Sequence, residues 1–323
     1  MNQWKSYRKN WGGNIMKTSL VGYTGFVGSN IAARNSFDAV YNSKNIECAY
    51  GTKPDLLVYA GVKAEKYLAN LSPDKDFEGI RQAYQNIINI EPKKVVLIST
   101  IDVYPPLAGA DEDAKISISE LQPYGANRYH LEHLVKENFS DALIIRLPGL
   151  FGKNIKKNFI YDYIHVIPAK LKKEKLDELC QTEPILYQYY QNCGNGFYEC
   201  TARNIKEREK LKDIFGSLGF SAVNFTDSRG SYQFYNLKYL WEHIQIALKN
   251  QLDLVNLVTE PVSIGELYHY LTGTAFVNEI LNNVPSYNFK SKYACLFGGH
   301  NGYISSKDQV LREIEQFIES KEF

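Results

Sequence analysis

Short apolar runs alternate with amphipathic segments over the first half of the chain. The runs of strand type, rich in β-branched residues and bounded by Gly, Pro, Asn or Ser, lie at 18–22, 37–41, 55–60, 95–100 and 142–147. Segments of helical type fill the intervals at 26–35, 62–91 (with a break at Ser72-Pro73) and 124–138. Continuous apolar strands are buried on both faces, and regular strand–helix alternation gives parallel sheets. The pattern therefore predicts an α/β fold with a doubly wound parallel sheet.

The alternation becomes irregular after Gly152. The later segments with a clear pattern are a strand at 253–258 and helices at 237–249, 264–271 and 307–320. We therefore predict a first domain over 16–152 and a smaller α/β C-terminal domain, mainly over 153–323. Segments at about 231–258 are candidates for returning to the first domain.

Residues 1–15 are polar and basic, and they contain no apolar segment of signal-peptide type. Trp11-Gly12-Gly13 stands a few residues before Met16, and its codons are G-rich, as in a ribosome-binding site. Two interpretations remain open for this segment. It is either a disordered arm or a non-native leader ahead of a natural start at Met16.

Composition excludes several classes of protein. Lys plus Arg total 37 and Asp plus Glu total 36, so the net charge of +1 gives no bulk attraction for nucleic acid or an anionic membrane. No apolar run is long enough to span a membrane. The 5 cysteines are scattered without a CxxC pair, which is typical of reduced thiols rather than disulfides or a zinc site. We predict a cytoplasmic protein with no metal, no nucleic-acid partner and no membrane partner.

A glycine-rich turn follows the first predicted strand. Gly22, Gly25 and Gly28 stand at three-residue spacing, and a helical segment begins among them at Phe26. In a strand–turn–helix such glycines permit a tight turn, a close approach of pyrophosphate to the helix and close helix–strand packing. The turn predicts a dinucleotide site formed by Gly22, Tyr23, Thr24, Gly25, Phe26, Val27 and Gly28.

The residues after the second strand determine whether such a site prefers NAD or NADP. An Asp or Glu there binds the ribose 2′-hydroxyl of NAD, whereas a neutral or basic residue accepts the 2′-phosphate of NADP. This chain has Asn42-Ser43-Lys44, and the Lys44 ammonium can pair with a phosphate. We predict NADP, with NAD as the alternative if Lys44 is only a solvated turn lysine. Ala60 and Gly61, which end the third strand, are also assigned to the cofactor site.

Candidate acid–base residues lie where the middle strands end. The strand at 95–100 runs into Thr100 and Asp102, and the next helix carries Tyr124 and Arg128, four apart on one face. A nearby cation can lower a tyrosine pKa from roughly 10, so that the phenol exchanges a proton with a carbonyl or an alcohol. The residues alone predict Tyr124 and Arg128 as a catalytic pair with Thr100 as a nearby hydroxyl; the family resemblance described next adds Asp102 as a catalytic candidate and assigns Tyr124 and Arg128 to the cofactor site as well.

These motifs resemble a known family. GYTGFVG, STIDVY, YGANR, RLPGLFG and the later NLVTEPVSIGEL are similar to segments of the extended short-chain dehydrogenase/reductases. That family comprises NAD(P)-dependent sugar-nucleotide epimerases, dehydratases and reductases. The resemblance implies a Rossmann-type cofactor domain, a nucleoside-diphosphate sugar as substrate, and a homodimer formed by helices near 78–90 and 124–138. It also implies Tyr124 as general acid/base, Thr100 as its hydroxyl partner and Pro148 near the nicotinamide.

Two of the departures from the family pattern affect the candidate catalytic residues. The motif Tyr-x-x-x-Lys has Arg128 in place of the lysine, which in the family binds the nicotinamide ribose and lowers the tyrosine pKa. Arg keeps the charge but is not an equivalent of Lys at a tightly packed site. Ile101-Asp102 replaces the Asp-Glu pair of the dehydratases, which disfavours dehydration. Asp102 either acts as an acid/base residue or caps a local turn.

The predicted function is an NADP(H)-preferring oxidoreductase that reduces a keto group on a nucleotide-linked sugar, with Tyr124 as proton donor. One alternative is an NAD-dependent nucleotide-sugar 4-epimerase. An alternative of another class is a non-catalytic nucleotide-binding protein, because Arg128 replaces the motif lysine. Arg229 and Arg203 are predicted to contact the substrate pyrophosphate, because a guanidinium binds phosphate through paired hydrogen bonds.

Overall fold

The computed structural model describes residues 16–105, 108–194 and 196–323. The predicted leader at 1–15 lies outside these residues. The chain divides into two compact units. The first contains residues 16–155 together with 231–262 and 285–323, and the second contains 156–230 and 263–284.

The strands of the described residues are β1 (Thr18–Val21), β2 (Ala39–Tyr41), β3 (Leu56–Tyr59), β4 (Lys94–Thr100), β5 (Leu143–Leu147), β6 (Gly149–Phe151), β7 (Lys170–Lys172), β8 (Tyr190–Asn192), β9 (Phe197–Cys200), β10 (Ser231–Tyr232), β11 (Phe234–Asn236), β12 (Leu254–Asn256) and β13 (Val262–Ser263). The helices are α1 (Phe26–Ala32), α2 (Lys66–Leu71), α3 (Pro73–Ile90), α4 (Pro123–Asn138), α5 (Phe159–His165), α6 (Lys173–Thr182), α7 (Ile205–Ser217), α8 (Leu240–Lys249), α9 (Ile264–Thr272) and α10 (Lys307–Ser320).

The first unit is built on a six-stranded sheet in the order β2-β1-β3-β4-β5-β12. Every neighbouring pair is parallel, with Leu20 opposite Val58 and Val58 opposite Val96. The chain leaves β1 toward β2 on one side and returns to β3 on the other. In such sheets a ligand binds beyond the carboxyl ends of the strands at this reversal of strand order. The predicted doubly wound α/β fold is confirmed.

Alternate strand residues supply the two faces of this sheet. Leu56 and Val58 lie in one apolar cluster with Leu240 and Ile244 of α8. Leu57 and Tyr59 lie in a second cluster, to which α3 contributes Ile80 and Ile87 and α4 contributes Leu131 and Val135. Burial on both faces explains why the strands read as continuous apolar runs rather than as alternating ones.

The element boundaries follow the sequence pattern closely. The break at Ser72-Pro73 separates α2 from α3, and the short interval between β2 and β3 holds only a 3₁₀ turn at Ile46–Ala49. The first helix ends at Ala32, earlier than the predicted residue 35.

The first unit contains segments from beyond residue 152, among them the region at about 231–258 that was named above as a candidate for returning to it. Residues 231–262 lie in the first unit, and so do residues 285–323. The physical reason is that β12 adds to the edge of the sheet beside β5, while Ile304 joins the same apolar cluster as α8.

The second unit contains an antiparallel three-stranded sheet in the order β7-β9-β8. Its apolar cluster includes Leu171 of β7, Leu176 of α6 and the fully buried Leu211 and Phe215 of α7. None of the helices in the described part of the chain has the length and hydrophobicity to cross a membrane.

Candidate active site

The glycine turn lies at the reversal of strand order, between the ends of β1 and β3. Gly22 has φ of +92°, a conformation that L side chains rarely adopt. A Cβ on Gly22 would stand 2.4 Å from the Ala60 carbonyl oxygen, and one on Gly28 would stand 2.1 Å from the Gly22 carbonyl oxygen. The turn therefore depends on these two glycines, which bring α1 against the strand ends.

The outer side of this turn is open. Thr24 and Gly25 are exposed, whereas Tyr23, Phe26 and Val27 pack partly against the apolar cluster on the α8 side. The Gly25 N–H donates to the Gly22 carbonyl at 2.9 Å. A tight backbone with an open outer edge is the shape that admits a pyrophosphate, so these residues fit a dinucleotide.

The Asn42-Ser43-Lys44 turn lies beside the glycine turn. The Gly22 N–H donates to the Tyr41 carbonyl at 2.7 Å, which joins the end of β2 to the start of the glycine turn. Asn42 Oδ1 accepts from the Lys44 N–H at 2.9 Å, and Ser43 and Lys44 are exposed. Among the described residues Lys44 forms no ion pair, so its ammonium is available to a phosphate at this edge.

Tyr124 is brought to the end of β4 by the packing of α4. A Cβ on Gly125 would stand 2.0 Å from the Asp102 carbonyl oxygen, so the absence of a side chain there lets α4 approach the turn after β4. Asn70 of α2 accepts a hydrogen bond from the Tyr124 N–H at 2.9 Å. The Tyr124 side chain is 7% exposed.

The expectation of a lowered Tyr124 pKa is wrong. Burial raises the pKa of Tyr124 to about 12, and the positive charge of Arg128 opposes this only in part. The Arg128 guanidinium carbon lies 3.8 Å from the centre of the Tyr124 ring, as the four-residue spacing predicted. The phenol is therefore neutral at ordinary pH, which suits a proton donor.

Arg128 is held by α3 and by the segment before α2. Its guanidinium pairs with the Asp76 carboxylate through Nη1 and Nη2, the latter at 2.9 Å from Oδ1. Nη2 also donates to the Lys63 carbonyl at 2.6 Å. The side chain is 5% exposed, and Asp76 is 14% exposed. Arg128 thus joins three segments around Tyr124.

Thr100 and Asp102 form a turn at the end of β4. The Asp102 N–H donates to Thr100 Oγ1 at 3.2 Å, and the same hydroxyl lies 3.4 Å from Asp102 Oδ2. The capping group of the turn is therefore Thr100, not the Asp102 carboxylate. No hydrogen bond joins Thr100 to Tyr124, although both residues belong to the described chain.

The Asp102 carboxylate has two partners that sequence reasoning missed. Lys66 Nζ donates to Asp102 Oδ1 at 2.6 Å and to the Tyr287 hydroxyl at 2.8 Å. The Tyr287 hydroxyl lies 3.1 Å from the same Oδ1. No sequence signal joins these residues, because Lys66 and Tyr287 stand 36 and 185 positions from Asp102.

Pro148 lies between β5 and β6, at the same carboxyl edge of the sheet. Just before it, Arg146 of β5 forms a buried pair with Glu132 of α4, with Nη2 and Oε2 2.5 Å apart. Glu132 Oε1 also accepts from the Ser99 hydroxyl at 2.5 Å. This network ties β4, β5 and α4 together behind the site.

Arg229 and Arg203 belong to the second unit. Arg229 Nε and Nη2 donate to the two Asp227 oxygens at 3.0 and 2.8 Å, and Nη1 lies 3.0 Å from Glu279. A pyrophosphate would have to compete with two carboxylates for this guanidinium. Arg203 is exposed, and its backbone N–H donates to Glu207. The substrate-binding role of both arginines stays a prediction.

No group of three or more His, Cys, Asp or Glu side chains within 16–105, 108–194 and 196–323 has the arrangement of a metal site. The cysteines there are free thiols.

No family model matches the chain, and no curated protein matches it significantly. Solved structures do match its fold over nearly its whole length. RMD from Pseudomonas aeruginosa, complexed with NADPH, has a TM-score of 0.59 at 14% identity and covers 94% of this chain and 99% of its own. A dTDP-4-dehydrorhamnose reductase from Yersinia enterocolitica has a TM-score of 0.62 at 12% identity, with the same two coverages of 94% and 99%.

A UDP-N-acetylglucosamine 4-epimerase from Methanobrevibacter ruminantium M1, in complex with UDP-N-acetylmuramic acid, has a TM-score of 0.58 at 14% identity. It covers 95% of this chain and 99% of its own. The chain therefore has the fold of the sugar-nucleotide reductases and epimerases, as the sequence motifs predicted. At these identities the likeness concerns the fold alone.

Proposed function

We propose that this chain is an extended short-chain dehydrogenase/reductase that uses NADP(H) to reduce a keto group on a nucleotide-linked sugar. The observation that carries the proposal is the position of Tyr124. It is buried at the carboxyl edge of the sheet, beside the Thr100–Asp102 turn, with a guanidinium 3.8 Å from its ring centre. The glycine turn at the same edge fits a dinucleotide.

Tyr124, Arg128 and Thr100 have different roles in the proposed reaction. Tyr124, neutral because burial raises its pKa to about 12, donates its proton to the oxygen of the reduced carbonyl. The phenolate that forms is stabilised by the Arg128 charge below the ring. The dihydronicotinamide supplies the hydride when the cofactor is bound. Thr100 fixes the turn that holds Asp102, and the low exposure of Tyr124 keeps water away from the proton transfer.

The cofactor preference rests on the turn after β2. Asn42, Ser43 and Lys44 place no carboxylate where a 2′-phosphate of NADP would be repelled, and Lys44 is exposed beside the glycine turn. RMD, which shares the fold, was solved with NADPH. NAD remains the alternative cofactor, and mass spectrometry of the cofactor retained by the purified protein separates the two.

The proposed assembly is a homodimer formed through α3 and α4. A groove on these helices is lined by Phe77, Glu78, Arg81, Gln82, Tyr84 and Gln85 of α3 and by His130 and Leu134 of α4. Aromatic and arginine side chains, here Phe77, Tyr84 and Arg81, are enriched at interfaces between protein subunits. Analytical ultracentrifugation tests this, and a monomer at assay concentrations would contradict it.

The decisive experiment measures NADPH consumption by the purified protein with dTDP-4-dehydrorhamnose, and with other nucleoside-diphosphate keto sugars. We expect stoichiometric loss of NADPH absorbance. Tyr124→Phe should lower kcat by about 10²- to 10⁴-fold, since it removes the acid while keeping the ring. The matched control is Tyr187→Phe, which removes a hydroxyl from an exposed tyrosine of the second unit.

A second function, NAD-dependent 4-epimerisation, is supported by the epimerase among the structures of the same fold. It predicts conversion of UDP-N-acetylglucosamine with no net change in cofactor absorbance. If Tyr124→Phe left every accepted turnover unchanged, the catalytic role of Tyr124 would be wrong. If the purified protein bound a nucleotide but turned over none of these sugars, the non-catalytic nucleotide-binding alternative, which the Arg128 replacement suggests, would be the better interpretation.

A further inference from the structure

Arg128 stands at the position of the motif lysine, but its hydrogen bonds are directed into the protein. Nη1 donates to Asp76 and to the Tyr124 carbonyl, and Nη2 donates to Asp76 and to the Lys63 carbonyl. The side chain is 5% exposed. It can act on Tyr124 through its charge, but it has little capacity to bind a ligand hydroxyl.

A second cation lies at the open side of the same site. Lys66 begins α2, and its side chain is 42% exposed, in contrast to Arg128. Its ammonium is fixed by Asp102 Oδ1 at 2.6 Å and by the Tyr287 hydroxyl at 2.8 Å. The rings of Tyr287 and Tyr232 stack with centres 5.7 Å apart, which makes an aromatic surface next to the ammonium.

The segment that carries Lys66 is attached to the Tyr124 helix on both sides. The Lys63 carbonyl accepts from Arg128, and Asn70 accepts from the Tyr124 N–H. Asp102, which holds Lys66, packs through its carbonyl against Gly125. These contacts fix the Lys66 ammonium relative to Tyr124.

The chemistry of the ammonium leaves one hydrogen bond for a ligand. A lysine has three N–H donors, and the described contacts of Lys66 use two of them. Burial lowers the pKa of Lys66, but Asp102 and the Tyr287 hydroxyl raise it by more, so the pKa lies well above its ordinary value. Lys66 therefore stays protonated, so it donates hydrogen bonds but does not act as a general acid.

We propose that the two tasks of the motif lysine are divided in this chain between two residues. Arg128 supplies the charge below Tyr124, and Lys66 binds a sugar hydroxyl of the ligand. This inference rests on the proposed function. The hydroxyl belongs either to the nicotinamide ribose or to the sugar substrate, since both present the same acceptor to an ammonium.

The test compares Lys66→Met with Lys136→Met. Lys136 is a matched control, because it also pairs with an aspartate and its side chain is 37% exposed. The dissociation constant for NADPH is measured by fluorescence without sugar, and KM is measured for dTDP-4-dehydrorhamnose. A hydrogen bond from a charged donor is worth about 10- to 100-fold in binding. We expect a loss of this size in Lys66→Met alone, and recovery of most of it in Lys66→Arg.

The two sources of the hydroxyl are separated by the same data. A weaker NADPH complex in Lys66→Met assigns the hydroxyl to the ribose. An unchanged NADPH complex with a raised KM assigns it to the sugar. Tyr287→Phe, which keeps the charge and removes one anchor of the ammonium, should give a smaller effect in the same direction.

The outcomes also separate this inference from the proposed function. Wild-type protein that bound NADPH and turned over the sugar, with both constants unchanged in Lys66→Met, would overturn only the role of Lys66. Wild-type protein that bound no NADPH and no sugar nucleotide would overturn the proposed function, and the role of Lys66 with it.

Discussion

Alanine at Gly125 should destabilise the protein, although alanine is the better helix former. Gly125 lies in the first turn of α4, and Gly79 lies within α3, so both sites are helical. A Gly-to-Ala change in a helix normally stabilises by about 0.5–1 kcal/mol. At Gly79 nothing lies within 4 Å of the added Cβ, so the ordinary gain should appear there.

At Gly125 the structure predicts the opposite effect, a loss of stability on substitution by alanine. The added Cβ would stand 2.0 Å from the Asp102 carbonyl oxygen, whereas real Cβ atoms stay at least 3.0 Å from such a neighbour. Helix α4 and the turn after β4 would therefore have to separate by about 1 Å. Overpacking of this kind costs about 1–3 kcal/mol, and a shift of this size at a reacting group can cost about 10²-fold in rate.

Thermal unfolding followed by circular dichroism measures the first effect. A change of 1 kcal/mol shifts Tm by roughly 2–4 °C in a domain of this size. We expect Gly79→Ala to raise Tm slightly and Gly125→Ala to lower it by several degrees, with kcat falling only in Gly125→Ala. If Gly125→Ala were as stable as Gly79→Ala and equally active, the close approach of α4 to Asp102 would not exist.

Two further predictions concern ionisable side chains. The first is a double-mutant cycle of Arg128→Met and Asp76→Asn, measured by chemical denaturation. Each single change should lower the free energy of unfolding by about 3–5 kcal/mol, with a coupling of about 1.5–3 kcal/mol between them. Purely additive losses would contradict the ion pair. Burial lowers the pKa of His243 to about 4, so the unfolded chain takes up a proton that the folded one does not. The free energy of unfolding should therefore fall as pH drops from about 6.5 to about 4, by up to about 3 kcal/mol, and His243→Gln should remove this dependence.

The parts of the molecule that local patterns specify could be predicted from the sequence. The strand at Leu56–Tyr59 is an apolar run that packs on both faces, and the chain pattern shows this directly. Gly22 and Gly28 could be assigned to a tight turn because glycine alone tolerates the conformation and the contact found there. The four-residue spacing of Tyr124 and Arg128 likewise placed cation and ring on one helical face.

The parts that depend on distant partners could not be predicted. The sequence does not show that Arg128 pairs with Asp76, because the two residues stand 52 positions apart. This ion pair determines where the guanidinium points. The sequence suggests a lowered Tyr124 pKa because the nearby cation is visible in the sequence while the burial of the phenol is not. The burial of a side chain depends on all the elements that pack around it, so a local sequence motif does not show it.

A departure from a sequence motif does not by itself decide whether a site is active. Arg128 replaces a lysine, and taken alone this change suggests a lost function. The structure places a carboxylate and a carbonyl around the larger guanidinium, and it places a second, more accessible cation, Lys66, on Asp102 nearby. A site is defined by the charges and donors that converge on the reacting group, whichever element supplies them. The neighbours of Arg128 are therefore a better guide to the chemistry than the identity of the residue.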